Sequence, residues 1–210
     1  MRLGILGGTF DPIHYGHLLL AETCREQLNL TEVRLLPAGA PPHKTGKGIT
    51  DGHTRADMAQ LAISGYPEYR VDRREIRRDG PSFTVDTLTD FRAEFPEAEL
   101  FFLLGADSLR DMPMWKQPER ILELATVVAV NRPGLAIPSP QQVIDWVGDD
   151  FARQITVLSM PGTDLSATAL RQRVAKGRNL RFMTPRAVEM FIIQHQIYAA
   201  GANSGDGLRA

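Results

Sequence analysis

The chain has a single cysteine, Cys24. A disulfide needs a second cysteine and a thiolate metal cluster needs more, so both are excluded, and a reducing, cytoplasmic setting is expected. An excess of charge is missing too: 24 Lys and Arg stand against 25 Asp and Glu, a formal net charge of −1. No bulk field draws such a chain to nucleic acid or to an anionic membrane, and neither is expected as a partner. Apolar runs are short, the longest being Leu100 to Leu104, far below what spans a bilayer. Residues 1–6 lack the length and cleavage site of a signal peptide, so no export signal is expected. There is no internal repeat and no low-complexity block. What is present is ordinary: 210 residues, 43% apolar and 23% charged. That suits one globular domain with at most a small appendage, large enough to bury a core without staples. If this protein binds phosphates, a few placed residues must do it.

Strand-like and helix-like segments alternate. Residues 2–6, 32–38, 69–76, 99–107, 126–133 and 154–160 read as strands, the third polar and near a sheet edge. Residues 17–30, 53–64, 82–95, 118–125, 139–147, 166–177 and 184–198 read as helices. Ser166 is placed as an N-cap and Gly177 as a stop. Residues 40–52, rich in Pro, Gly and Lys, read as a long loop, and 199–210 as a disordered tail. The alternation predicts an α/β fold: a Rossmann-like, doubly wound parallel sheet with helices on both faces and a small helical part at its C-terminal end. Residues 1–198 are expected to form one domain. Ligands of such sheets sit beyond the carboxyl ends of the strands, near the point where strand order reverses.

The residues at those ends have a common character. They are Gly7, Gly8, Thr9, Phe10 and Asp11 after the first strand, followed by His14, Gly16 and His17. They continue with His43 and Lys44, with Gly105, Asp107 and Ser108, with Asn131 and Arg132, and with Ser166 and Thr168, Arg171 one turn on. Glycines, hydroxyls and cations make a phosphate site, because glycines let backbone N–H groups approach and helix N-termini aim positive dipoles at anions. Neither the Gly-x-Gly-x-x-Gly fingerprint nor a P-loop is present. Plainer readings stand beside this one. His14 and His17 could ligate a metal, but no pattern supplies a third ligand, and no metal site is expected. Asp11-Pro12 could be a turn device, Asp107 a helix cap, Arg171 a solvated helix residue and Lys44 a loop lysine. Trp115, among Met112, Pro113 and Met114, could be a core aromatic, and Cys24 a small core residue. His53, His195 and Trp146 carry no signal.

The stretch GGTFDPIHYGH resembles the HxGH signature of the nucleotidyltransferase superfamily, at His14 to His17. LSATALR (165–171) resembles that superfamily's second signature, departing from it at Ala167, where a serine is common; the backbone N–H is kept and the hydroxyl is absent. With PPHK, PSFT (81–84), GADS, MW (114–115) and NRP, the chain resembles the bacterial nicotinate-nucleotide adenylyltransferases from residue 1 to about 198. The resemblance implies that ATP and nicotinate mononucleotide are the substrates and that Mg²⁺ arrives with ATP. It implies that His14, His17 and Arg171 act on the reacting phosphates. ATP would be held by Gly7, Gly8, Thr9, Phe10, Gly16, His17, Gly105, Asp107, Arg132, Ser166, Thr168 and Arg171. Asp107 would take the ribose hydroxyls. Thr84 and Trp115 would receive the pyridine ring, and His43 and Lys44 would lie on a loop over the substrate phosphates. No carboxylate cage for the metal is apparent, which suits an ion carried in by ATP.

Three functions compete at this stage. Adenylyl transfer to nicotinate mononucleotide leads. The same chemistry on nicotinamide mononucleotide, phosphopantetheine or with CTP shares the histidine motif and differs in acceptor. A non-catalytic nucleotide sensor is disfavoured, because both signatures carry competent residues. A homo-oligomer is compatible with the chain, and the sequence does not set the number of subunits.

Overall fold

The computed structural model describes residues 1–39, 49–131 and 139–200. Most of the expected 40–52 loop and nearly all of the expected tail lie outside the described residues. Six strands form one all-parallel sheet: β1 (Arg2–Gly8), β2 (Glu32–Pro37), β3 (Tyr69–Val71), β4 (Glu99–Gly105), β5 (Thr126–Asn131) and β6 (Ile155–Ser159), in the order β3-β2-β1-β4-β5-β6. The helices are α1 (Tyr15–Gln27), α2 (Gly52–Ala62), α3 (Arg74–Arg77), α4 (Thr84–Glu94), α5 (Pro118–Leu124), α6 (Pro140–Val147), α7 (Asp149–Ala152), α8 (Ala167–Ala175) and α9 (Arg186–Gln194). This is the Rossmann-like doubly wound sheet expected from the alternation.

Side-chain alternation explains the two cores. On β4, Phe101 and Leu103 face one layer, while Leu100, Phe102 and Leu104 face the other; on β5, Val128 and Val130 oppose Val127 and Ala129. A strand covered on both sides must be apolar at every position, hence the continuous apolar run at 100–104. One layer gathers Cys24, Met58, Leu170, Val188 and Ile192; the other gathers Leu88, Phe91, Met112, Ile121 and Val143. Each such fully buried side chain contributes roughly 1.5–3 kcal/mol. Among the described residues no helix is long and apolar enough to cross a membrane.

Local chemistry sets the boundaries. Ser166 Oγ accepts the Ala169 N–H at 3.2 Å and starts α8. Ser139 starts α6 with a capping box to Gln142, and Asp51 caps α2 through Thr54 N–H at 3.0 Å. The reading of 69–76 as one strand is corrected. Pairing covers Tyr69–Val71 only, on the edge of the sheet. Asp72 then turns its carboxylate back onto the Arg74 N–H at 2.9 Å and the Arg74 guanidinium at 2.7 Å, which converts the strand into the turn of α3. Two elements went unread: α7, and a 3-10 helix over Ala106–Met114 that buries Leu109 and Met112, three residues apart on one face.

β1 lies between β2 and β4. The chain leaves β1 towards β2 and β3, then returns to β4 on the other side. The strand order reverses there, and the carboxyl ends of β1 and β4 diverge into a cleft.

Candidate active site

The cleft between β1 and β4 has a volume of about 410 Å³. Gly7, Gly8, Thr9, His17, Gly105 and Asp107 line it at the strand ends, and Thr84 and Trp115 line it as well. Thus the glycine-rich turn, the residues after β4 and the expected pyridine-side pair share one cavity. Phe10 is buried at 1% exposure beneath this surface, its ring edge-on to His17 with centroids 5.0 Å apart. His43, Lys44 and Arg132 lie outside the described residues.

The two histidines cap α1 reciprocally. His14 is the N-cap, and its Nδ1 accepts the Gly16 N–H at 3.1 Å. His17 Nδ1 accepts the His14 N–H at 3.3 Å. The imidazoles stack, 3.8 Å between centroids. A neutral imidazole that accepts through Nδ1 carries its proton on Nε2, so this pattern makes Nε2 of each ring a donor. Gly16 allows the arrangement: a Cβ there would stand 2.9 Å from His14 Cε1. The backbone of the turn thereby sets the tautomer of the side chains at its end.

α8 brings the second signature to the same turn. Arg171 Nη1 donates to the Asp11 carbonyl at 2.7 Å, and Nη2 donates to Thr168 Oγ1 at 3.3 Å. Asp11 is buried, and its Oδ2 lies 3.9 Å from Arg171 Nη1. The Asp11-Pro12 peptide is cis. Thr184 Oγ1 donates to the Ile13 carbonyl at 2.8 Å and pins the turn from the side of α9.

Three participants were not legible beforehand. Arg55, 1% exposed, sends its guanidinium into the carbonyls of Thr50 (2.8 Å), Thr9 (2.6 Å) and Ala38 (2.7 Å). Burial lowers its pKa, and the Asp11 and Asp51 carboxylates oppose that. Tyr198 donates to Asp11 Oδ1 at 2.5 Å. Glu75 lines the cleft and accepts from Thr87 Oγ1 at 2.8 Å; burial pushes its carboxyl above the usual range, against the pull of Thr87 and Arg78. A lone arginine on a predicted helix, a tyrosine at a helix end and a glutamate in a polar segment carry no spacing that marks them. On the other side of the cleft, the Trp115 ring meets Phe102 edge-on at 6.1 Å, and Lys116 binds Asp86 at 3.0 Å.

The model of the cytidylyltransferase-like family matches residues 5–173. A protein of Thermomicrobium roseum named "Probable nicotinate-nucleotide adenylyltransferase" is 46% identical over 197 residues, covering 94% of this chain and 91% of the relative. One of the same name from Thermus thermophilus is 42% identical, covering 94% of this chain and 100% of the relative. The fold is similar to that of Plasmodium falciparum nicotinic acid mononucleotide adenylyltransferase complexed with NaAD, with a TM-score of 0.75 at 17% identity, over 94% of this chain and 97% of that one. At that identity the likeness speaks for the fold. The matched family model spans both phosphate signatures, and these relatives run nearly end to end with this sequence, so the chain belongs to the cytidylyltransferase-like family, among the nicotinate-nucleotide adenylyltransferases.

Proposed function

We propose that the protein transfers the adenylyl group of ATP to nicotinate mononucleotide, giving nicotinate adenine dinucleotide and pyrophosphate, a step of NAD biosynthesis. A phosphate oxygen of the acceptor attacks the α-phosphorus of ATP, the bond to the bridging α–β oxygen breaks, and pyrophosphate leaves in line. The attacking phosphate is already ionised near neutral pH, so no general base is required. The enzyme's work is to align two polyanions and to stabilise charge growing on the transferring and leaving phosphates.

The observation that supports this reading most directly is the junction of Arg171 with the Asp11 carbonyl, which puts the two phosphate signatures on one turn. In this reading Nε2 of His14 and His17 donates to the α- and β-phosphate oxygens. The N-terminus of α8, with Ser166, Thr168 and Arg171, holds the β- and γ-phosphates. Asp107 takes the ribose hydroxyls. Thr84, at the first position of α4, offers hydroxyl and backbone N–H to the nicotinate carboxylate, while Trp115 stacks on the pyridine ring. Among the described residues no group of three or more His, Cys, Asp or Glu is placed to hold a metal ion. Mg²⁺ carried on ATP would neutralise charge on the phosphate oxygens.

The test is pyrophosphate release from ATP and Mg²⁺ with nicotinate mononucleotide or nicotinamide mononucleotide offered separately. Release with the acid and little with the amide is the expected result. No release with either overturns the proposal. Strong preference for the amide overturns the acceptor assignment and leaves the transfer chemistry standing.

A further inference from the structure

The C-terminal end of the described chain finishes on the glycine-rich turn. Tyr198 Oη donates to Asp11 Oδ1 at 2.5 Å, across 187 residues of sequence. The other carboxylate oxygen accepts the Thr50 N–H at 3.3 Å and lies 3.9 Å from Arg171 Nη1. Asp11 itself is 2% exposed. Three distant segments therefore meet on one buried carboxylate.

A second observation points to the same place. Tyr198 adopts φ +65° and Phe10, next to Asp11, adopts φ +50°. Both values lie in the left-handed region that side chains other than glycine occupy at a cost, and such residues persist only where the surroundings over-determine them. The strained backbone stands at both ends of the Tyr198–Asp11 hydrogen bond.

The electrostatics give the arrangement a consequence. A buried carboxylate draws whatever donors are near. With the tyrosine hydroxyl on Oδ1 and the Thr50 N–H on Oδ2, Asp11 is satisfied while Arg171 stays at 3.9 Å, bonded instead to the Asp11 carbonyl and to Thr168. Without the hydroxyl Asp11 loses a donor, and the Arg171 guanidinium, 3.9 Å from Oδ2, is a charged group beside it able to take that place. The guanidinium would close onto the carboxylate and turn its charge away from the substrate side.

We propose that Tyr198 is a positioning residue: by satisfying Asp11 it keeps Arg171 available to the phosphates of ATP. This rests on the reading of Arg171 as an ATP ligand given above. Tyr198→Phe keeps the ring that packs on the core and removes only the hydroxyl. Its KM for ATP and its Kd for ATP with Mg²⁺, measured without acceptor, should rise about tenfold, the scale of one charge-assisted contact, while KM for nicotinate mononucleotide stays within about twofold. A loss of packing alone would not single out one substrate. In an Arg171→Ala background the added Tyr198→Phe should leave the Kd for ATP unchanged, and Asp11→Asn, which removes the competing charge, should restore much of the loss. An unchanged Kd for ATP in Tyr198→Phe, equal effects on both substrates, or additive effects with Arg171→Ala would overturn the proposal. Turnover by the wild-type enzyme is read in the same series; its absence would strike the proposed function, whereas an active wild type with additive variants would strike only the role of Tyr198.

Discussion

His17 Nδ1 accepts the backbone N–H of His14, and the two rings stack 3.8 Å apart. The helix cap and the donor geometry are one structure. In the proposed reading the Nε2–H of His17, its ring held through Nδ1 by the backbone, donates to a phosphate oxygen as charge develops there. His17→Ala should therefore lower kcat about 10²-fold or more, the scale for losing one preorganised donor to a transition state. Steady-state pyrophosphate release measures it. An unchanged kcat would remove His17 from the transition state.

Trp115 lines the cleft, and its ring makes a T-shaped contact with Phe102. If it stacks on the pyridine ring, Trp115→Ala should raise KM for nicotinate mononucleotide about tenfold, since an aromatic stack is worth about 1–3 kcal/mol. KM for ATP should move little. An equal rise for both substrates would assign Trp115 to the cleft's framework instead of the acceptor.

Arg55 holds the ends of β1 and β2 together through carbonyl groups of Thr9, Ala38 and Thr50. Arg55→Met keeps the aliphatic volume and leaves buried carbonyls without donors. The loss should be about 3 kcal/mol, or roughly 10 °C in Tm for a chain of this size. Calorimetry against the wild type checks this; a change in Tm of about a degree or less would show that the carbonyls find other partners.

Glu22 gives the pH prediction. Hydrogen bonds from Arg25 hold its carboxyl at about 2 instead of the ordinary 4.5, with burial opposing and the Tyr69 hydroxyl assisting. The folded state thus binds this proton less readily than the unfolded state. The resulting stabilisation is fully present above pH 4.5 and is lost as pH falls towards 2. Glu22→Gln should flatten the stability curve in that window, read by denaturant titration at stepped pH. A parallel, merely shifted curve would show that other carboxylates carry the acid limb.

The reading of the sequence succeeded where the cause is local. Periodicity placed every strand, because a strand covered on both faces must be apolar and a helix must show a stripe. It failed on the extent of the third, at 69–76, where the deciding contact is the carboxylate of Asp72 folding back on Arg74, a matter of one side chain against a weak apolar pattern. The 3-10 helix after β4 escaped for a related reason: Pro113 and mixed polarity mask the pairing of Leu109 with Met112.

The two phosphate signatures were legible because their chemistry depends on contiguous spacing: a glycine between two histidines, and an arginine one turn beyond a helix cap. Those short stretches pointed to the superfamily and the reaction class, and PSFT with Trp115 pointed to the acceptor. Whether they act together was a tertiary matter. The turn at Asp11 meets Arg171 only because β1 lies mid-sheet and α8 returns to its carboxyl end. Arg55 and Tyr198 gained their roles in the same way, by folding distant segments onto one buried turn whose carbonyls and carboxylate had to be satisfied once water was excluded. Local spacing is written in a sequence; the desolvation that gives a lone arginine or tyrosine its importance exists only in the packed protein.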